Sequence, residues 1–271
     1  MKKILIILSL ILFFFFFTIK SLPAQGKVEF GFHYGSWSID ILRSMIEEEI
    51  GNALETDLKD KFLEDIQAEH PLLEEESYSQ EVSFDSGGSN FGFEVRWYPG
   101  GYDGSFSLGL SIEKTTMRVS LPEISSSLEL SDGSTFQATA NGDFLLKPLS
   151  FHLHLRWDIK PSWKVRPYLT FGFGIATGTA LENAEYSFSY SGDLDIAGEE
   201  LEHFEGGESK TIKELKDDLE AEGEEFFLPG LLPFIQLNFG IKGELAENFY
   251  VLIDAGIWDG LLVRGGLAYR F

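Results

Sequence analysis

The sequence predicts an all-β protein, with eight antiparallel strands running up and down and closing into a barrel. Three observations predict it. Eight stretches alternate apolar and polar residues with the two-residue period of a strand. The connections between them alternate in length, short after the second, fourth and sixth strands and long after the first, third and fifth. No stretch beyond the first two dozen residues approaches the ~20 apolar residues of a membrane helix.

The first segment is not a strand. Met1-Lys2-Lys3 is a positive start, Ile4 to Phe17 is an apolar core with five consecutive Phe, and Ser21-Leu22-Pro23-Ala24 ends on a small residue. Residues 1–24 read as a cleaved secretory signal peptide, with an uncleaved anchor as the alternative. The mature barrel then spans 25–271. Losing Lys2, Lys3 and Lys20 moves the formal charge from −23 to −26. Nucleic-acid phosphates would be repelled by such a surface. There is no Cys, so there are no disulfides, no thiolate chemistry and no lipid-carrying Cys.

The strands follow in order. The first, Lys27 to Ile39, sets Val28, Phe30, Phe32 and Tyr34 against Glu29, Gly31, His33 and Gly35. The second, about 90–98, opposes Phe91, Phe93, Val95 and Trp97 to Gly92, Glu94 and Arg96. The third opposes Phe106, Leu108, Leu110 and Ile112 to Ser107, Gly109, Ser111 and Glu113. The fourth opposes Leu149, Phe151, Leu153, Leu155 and Trp157 to His152, His154, Arg156 and Asp158. In the fifth, Val165, Leu169, Phe171, Phe173 and Ile175 face away from Arg166, Tyr168, Thr170, Gly172 and Gly174. The sixth sets Ile235, Leu237, Phe239 and Ile241 against Gln236, Asn238, Gly240 and Lys242. The seventh sets Phe249, Val251, Ile253, Ala255 and Ile257 against Tyr250, Leu252, Asp254 and Gly256. The last carries Leu261, Val263, Gly265, Leu267, Tyr269 and Phe271 on one face and Arg264, Gly266, Ala268 and Arg270 on the other.

Parity predicts the tight turns. A three-residue loop Trp258-Asp259-Gly260 pairs Ile257 with Leu261 and keeps both faces clean, with Gly260 free for a left-handed bulge position. Ala246-Glu247-Asn248 would pair Leu245 with Phe249 by the same rule.

Alternation alone also fits a soluble barrel with its apolar face inward. Two features favour the inverse. The polar faces are rich in Gly, which suits a narrow interior. All five Trp (37, 97, 157, 163 and 258) fall at strand ends or turns, where interfacial girdles place them. A closed barrel also satisfies every backbone group within a bilayer.

On these strands and turns the chain resembles the small eight-stranded outer-membrane barrels of Gram-negative bacteria, the OmpA and OmpX class. The terminal Leu267, Tyr269 and Phe271 resemble that family's C-terminal assembly signal. The resemblance implies an outer-membrane location, insertion by the barrel-assembly machinery, and contact with outer-membrane lipid and lipopolysaccharide. It also implies an interior filled by side chains rather than a channel. It does not cover the long connections.

Those connections are acidic. Residues 40–89 hold fifteen acids against three cations and 180–230 hold sixteen against three, together 31 of the chain's 44. Weak binding of divalent cations is expected there. A helical loop is predicted over about 40–70, with Ile41, Leu42, Met45, Ile46, Ile50, Leu54, Leu58, Phe62 and Ile66 at helical spacing. A second is predicted over about 209–222, opened by Thr211 and Glu214 as a capping box. Both are expected to bury their stripes over the barrel mouth; the sharper reading is a lipid-surface or partner-binding helix.

The inward faces collect Glu29, Glu94, Glu113, Asp158, Glu244 and Asp254 against Arg96, Arg156, Arg166, Lys242, Arg264 and Arg270. Near balance predicts a paired network filling the lumen, since buried charge persists only when paired. A proton or ion path is the sharper reading. His152 and His154, with His33 near, could begin a metal site, but no full ligand set is nameable. They are also the candidates for a general base in a lipid-modifying barrel enzyme, and are placed near the short-turn end of the fourth strand. Asp193 to Gly198 opens like a calcium loop, but Ala197 and Phe204 stand where ligands belong. No cofactor or catalytic residue is assigned. The expected function is a non-catalytic surface barrel whose acidic loops contact ions, lipopolysaccharide or another surface. A carrier of small hydrophobic molecules is the alternative, and a lipid-modifying enzyme the third.

Overall fold

A computed structural model of the chain describes residues 26–60, 63, 64, 67, 72, 74–196, 201–224 and 226–271. The stretch read as a signal peptide lies outside them, as do Phe62, Ile66, Ala197 and Gly198.

Among the described residues, eleven antiparallel strands form one sheet, three more than expected. They are β1 (Lys27–Ser38), β2 (Glu75–Tyr98), β3 (Phe106–Leu130), β4 (Thr135–Leu146), β5 (Leu149–Asp158), β6 (Val165–Thr177), β7 (Glu185–Asp195), β8 (Glu202–Thr211), β9 (Leu231–Ala246), β10 (Phe249–Trp258) and β11 (Leu261–Arg270). The order is β2-β1-β11-β10-β9-β6-β5-β3, and β3 then pairs with β2, so eight of the eleven close a ring. The other three, β4, β7 and β8, continue the sheet from the far half of β3. With the far halves of β2 and β3 they make a five-stranded blade standing at the loop-bearing end of the ring.

The extra strands correct the loop assignments at 40–89, 119–143 and 180–230. β2 starts at Glu75, β3 runs to Leu130, and β4, β7 and β8 come from segments read as loops. β4 and β5 are one descending path broken at Lys147-Pro148, because Pro has no N–H for the ladder. Thr115 N–H donates to the Pro148 carbonyl at 3.1 Å and holds the break against β3.

The ring carries its apolar side chains outward. Phe30, Phe32, Phe93, Leu153, Phe171, Leu237, Ile253 and Val263 are exposed, whereas Glu29, Glu94, Arg96, Asp158 and Arg270 are buried. In the blade the sides exchange. On β2 the inner face passes from Arg96 and Glu94 to Phe84 and Val82, while the outer face passes from Val95 and Phe93 to Ser83 and Glu81. On β3 an extra residue within Leu121-Pro122-Glu123, where the register against β4 shifts between Leu121 and Ile124, moves the even-numbered side chains inward beyond it. Leu128, Leu130 and Phe136 are buried there, with Leu63, Tyr78, Leu194 and Phe204 packed against them.

The turns divide. Ile257 pairs with Leu261, and the Trp258 N–H donates to the Gly260 carbonyl at 2.7 Å. Positive φ falls on both Asp259 (40°) and Gly260 (146°). The other turn differs from the expected register: Phe249 pairs with Ala246 and Tyr250 with Glu244, leaving Leu245 in a bulge. Asn248, at φ 64°, takes the left-handed position that makes the shorter turn possible.

The Trp reading is also corrected in part. Trp157 and Trp163 are more than half exposed, but Trp37 and Trp258 are buried inside the ring. They cluster with Met117, Ala176, Phe234 and Leu262 and close the lumen at its loop-bearing end. At that depth on β1 and β10, inward parity outweighs the preference of Trp for an interface.

Both predicted helices form: the first is still helical at Asp60, Leu63, Glu64 and Gln67 among the described residues, and the second starts at Ile212 rather than at about 209. A 3₁₀ turn (Asp40–Leu42) leads into α1 (Arg43–Ala53), followed by a π-helical turn (Leu54–Lys59). Its stripe is not fully covered, for Ile41, Leu42 and Met45 remain exposed. A short α2 (Thr179–Glu182) follows β6. α3 (Ile212–Glu222) carries both capping-box bonds between Thr211 and Glu214 and ends on left-handed Gly223.

Candidate functional site

Inward parity on eight strands points long polar side chains at one axis, and glycines opposite them provide the room. A Cβ on Gly92 would lie 2.2 Å from His33 Nε2, and one on Gly174 would lie 2.1 Å from His152 Nδ1. Gly92 sits between His33 on β1 and Glu113 on β3 in one row of the ladder, so these two meet across a strand that has no side chain there.

The network has three levels. At the short-turn end, Glu29 accepts from Arg270 Nη2 at 2.8 Å and Nε at 3.0 Å, and from Lys242 Nζ at 3.2 Å. Lys242 reaches Asp158 at 3.1 Å. The Arg270 guanidinium lies 3.6 Å from the centre of the Tyr98 ring, and Lys242 4.9 Å from the same centre. Arg166 pairs with the more exposed Glu244 at 3.5 Å.

In the middle, Glu94 pairs with Arg96 at 2.9 Å and Arg156 at 3.3 Å. Arg156 stacks on Tyr168, whose hydroxyl donates to Asp254 at 2.6 Å. Arg264 holds Asp254 with two bonds, at 2.8 and 3.2 Å.

Toward the loop-bearing end, Glu113 accepts from Ser111 at 2.8 Å and from Asn90 at 3.1 Å. His33 lies 3.5 Å from it, Arg264 3.6 Å and His154 3.8 Å. His152 bonds Ser150 at 2.7 Å and lies edge-on against Trp258, with ring centres 4.9 Å apart.

The structure thus brings Glu29, Glu94, Arg96, Glu113, His152, His154, Arg156, Asp158, Lys242, Asp254, Arg264 and Arg270 together in one buried interior. A cavity of about 10 Å³ beside Asp254 and Arg264 has room for about one water. The His pair is corrected in position. It lies toward the loop-bearing end, beneath Trp258 and Phe234. Sequence reasoning missed the partners Tyr98, Ser111, Ser150 and Asn90. Each lies on the inward face of its strand beside charges already singled out, and that parity was the available signal.

Leu267, Tyr269 and Phe271 lie exposed on the ring's outer face. Phe271 meets Tyr269 and Phe30 edge-on, at 4.7 and 5.7 Å between ring centres.

The blade carries a separate set of charges. Tyr186 donates to Glu208, and Lys210 pairs with Glu208 at 2.7 Å and with Asp218 at 2.9 Å. Burial, then the Glu208 bond, pushes the Tyr186 hydroxyl up to about 12. Asp193 bonds His203 at 2.8 Å and raises its imidazole above the ordinary value. Tyr186, Phe188 and Tyr190 stack along β7, with the ring planes of successive pairs 10° and 9° apart.

No protein-family model and no curated protein sequence matches the chain. Among solved structures, the chain is weakly similar to the translocator domain of the autotransporter NalP from Neisseria meningitidis, at 8% identity and a TM-score of 0.23, covering 92% of this chain and 89% of that one. The transport unit of the autotransporter AIDA-I from Escherichia coli gives 8% identity and 0.20, covering 92% and 91%. The CymD monoaromatic hydrocarbon channel gives 8% and 0.19, covering 93% and 90%.

Proposed function

We propose that the protein is an outer-membrane barrel, in which the ring is a filled, non-conducting anchor and the blade and acidic connections form a non-catalytic contact surface. One observation carries this reading: the ring exposes a continuous belt of apolar side chains and buries its charges, and the two sides exchange in the blade. A soluble barrel would expose that belt to water at about 25 cal/mol per Å² of apolar surface. Lipid removes the cost, and the exchange of sides marks the depth at which lipid gives way to water.

The surface would meet ions, lipopolysaccharide or another surface through its acids. A lipid-modifying enzyme fits less well. Ser150–His152 and Ser111–His154 are Ser–His pairs, but all four side chains are sealed in the lumen, where no lipid reaches them.

The test is fractionation of cells making the full chain, followed by protease treatment and planar-bilayer recording. The protein is expected in the outer membrane, with the ring protected, the blade cut and no steady conductance. Recovery in the soluble periplasm would overturn the anchor, and a steady large conductance would overturn the filled lumen. Phe271→Ala is expected to lower the yield of protected ring.

A further inference from the structure

The geometry points to a metal site inside the lumen; we propose that Glu113, His152 and His154 bind one divalent transition metal of the zinc type. One nitrogen from each His and one Glu113 oxygen all lie within 4.8 Å of one another, and all three side chains are buried. Zinc sits ~2.0–2.2 Å from such nitrogen and oxygen ligands. Small rotations therefore bring the three atoms onto one ion.

A second observation is independent of that spacing. His152 Nδ1 is buried with no hydrogen-bond partner, and His154 Nδ1 has only Glu94, at 3.7 Å. Buried polar atoms are normally satisfied, so two buried imidazole nitrogens without a hydrogen bond need a reason. His33 stands ready as a further ligand, since its Nε2 already faces Glu113. The rings of His33 and His152 occupy the space that Gly92 and Gly174 leave beside the cluster.

Two features shape the binding. Arg264 lies 3.6 Å from Glu113 and opposes an incoming cation, but its two bonds to Asp254 hold it when Glu113 turns away. Trp37, Phe234, Trp258 and Leu262 close the lumen above the cluster, so the ion enters as the ring forms. Imidazole with carboxylate selects zinc, cobalt, nickel or copper over calcium and magnesium.

The experiment refolds the full chain in detergent with Co²⁺, removes free ion by gel filtration over chelator, and measures bound cobalt and its visible spectrum. The wild-type ring is expected to retain stoichiometric cobalt with the intense d–d bands of a low-coordinate nitrogen–oxygen site. His152→Gln with His154→Gln is expected to lose it, and His203→Ala, in the exposed blade, to keep it. If the double variant does not form a heat-resistant ring, Glu113→Gln carries the comparison, because an amide oxygen can still accept from Ser111 and Asn90. Absence of cobalt from the folded wild-type ring, or its undiminished retention in a folded variant, would overturn the site.

Discussion

The ring and the blade share strands β2 and β3 yet obey opposite side-chain rules. In the ring the outward face is apolar and the inward face is charged; in the blade the outward face of β2 and β3 is Ser and acid, and the inward face buries Phe84, Leu128, Leu130 and Phe136 beside Ser86 and Ser126. β2 and β3 stay paired on both sides of the change, with one register shift between Ser83 and Asp85, so strand pairing as such does not distinguish the regions. What differs is the character of each outer face, which under the proposed reading meets lipid on the ring and water on the blade. The comparison teaches that the surroundings of a strand are encoded in which parity is apolar, and not in whether the strand continues; under the proposed reading, that parity marks membrane depth.

The largest effect should come from breaking the interior of the ring. Glu29→Ala leaves Arg270 and Lys242 buried without their shared carboxylate, which costs about 3–5 kcal/mol. Urea unfolding of the refolded protein in lipid vesicles should show the loss, with ring and blade signals falling together if the blade depends on the ring. A loss below about 1 kcal/mol would mean that water reaches these charges.

The next test sets the two outer faces against each other. Phe171→Arg puts a charge on the lipid side of the ring and should cost about 2–4 kcal/mol in vesicles. Ser191→Arg, on the outer face of β7, should change stability by no more than about 0.5 kcal/mol. Equal costs at the two positions would erase the distinction between the faces.

A smaller effect belongs to the blade alone. Thr211→Ala removes the side-chain cap of α3, worth about 0.5–2 kcal/mol. Amide exchange should accelerate across Ile212–Glu222 with the ring strands unchanged. Faster exchange in the ring as well would make the two regions one cooperative unit.

The smallest effect is a pH response. Asp193 raises the His203 pKa, so their bond stabilises the β7–β8 hairpin in full below the unfolded value of ~6.5. That contribution is lost as pH rises through the raised folded value. Backbone protection around Asp193 and His203, corrected for intrinsic exchange, should therefore fall as pH rises above ~6.5 through the raised folded value. The same loss in His203→Ala would assign it to another group.

The sequence alone settles much of this molecule, because strand parity is local. Alternation at Phe30-Gly31-Phe32-His33, at Phe151 to Trp157 and at Leu261 to Phe271 fixes which residues share a face without any knowledge of neighbours. The same signal was present in Tyr186-Ser-Phe-Ser-Tyr-Ser191, but surrounding acids made that stretch read as a loop. The capping box at Thr211 was legible for the same reason, since its partner is three residues away.

Other features required the closed sheet. Glu29 finds Lys242 213 positions along the chain, and no local pattern can choose that partner over another cation of the same parity. Trp37 and Trp258 turn inward, and Leu245 bulges, because ring closure sets register and leaves an interior to fill. Likewise Glu113, His152 and His154 converge only because β3 and β5 are neighbours and glycines clear the space between strands. Parity is a property of one strand, whereas partnership across the lumen is a property of the whole ring, and only the folded chain decides it.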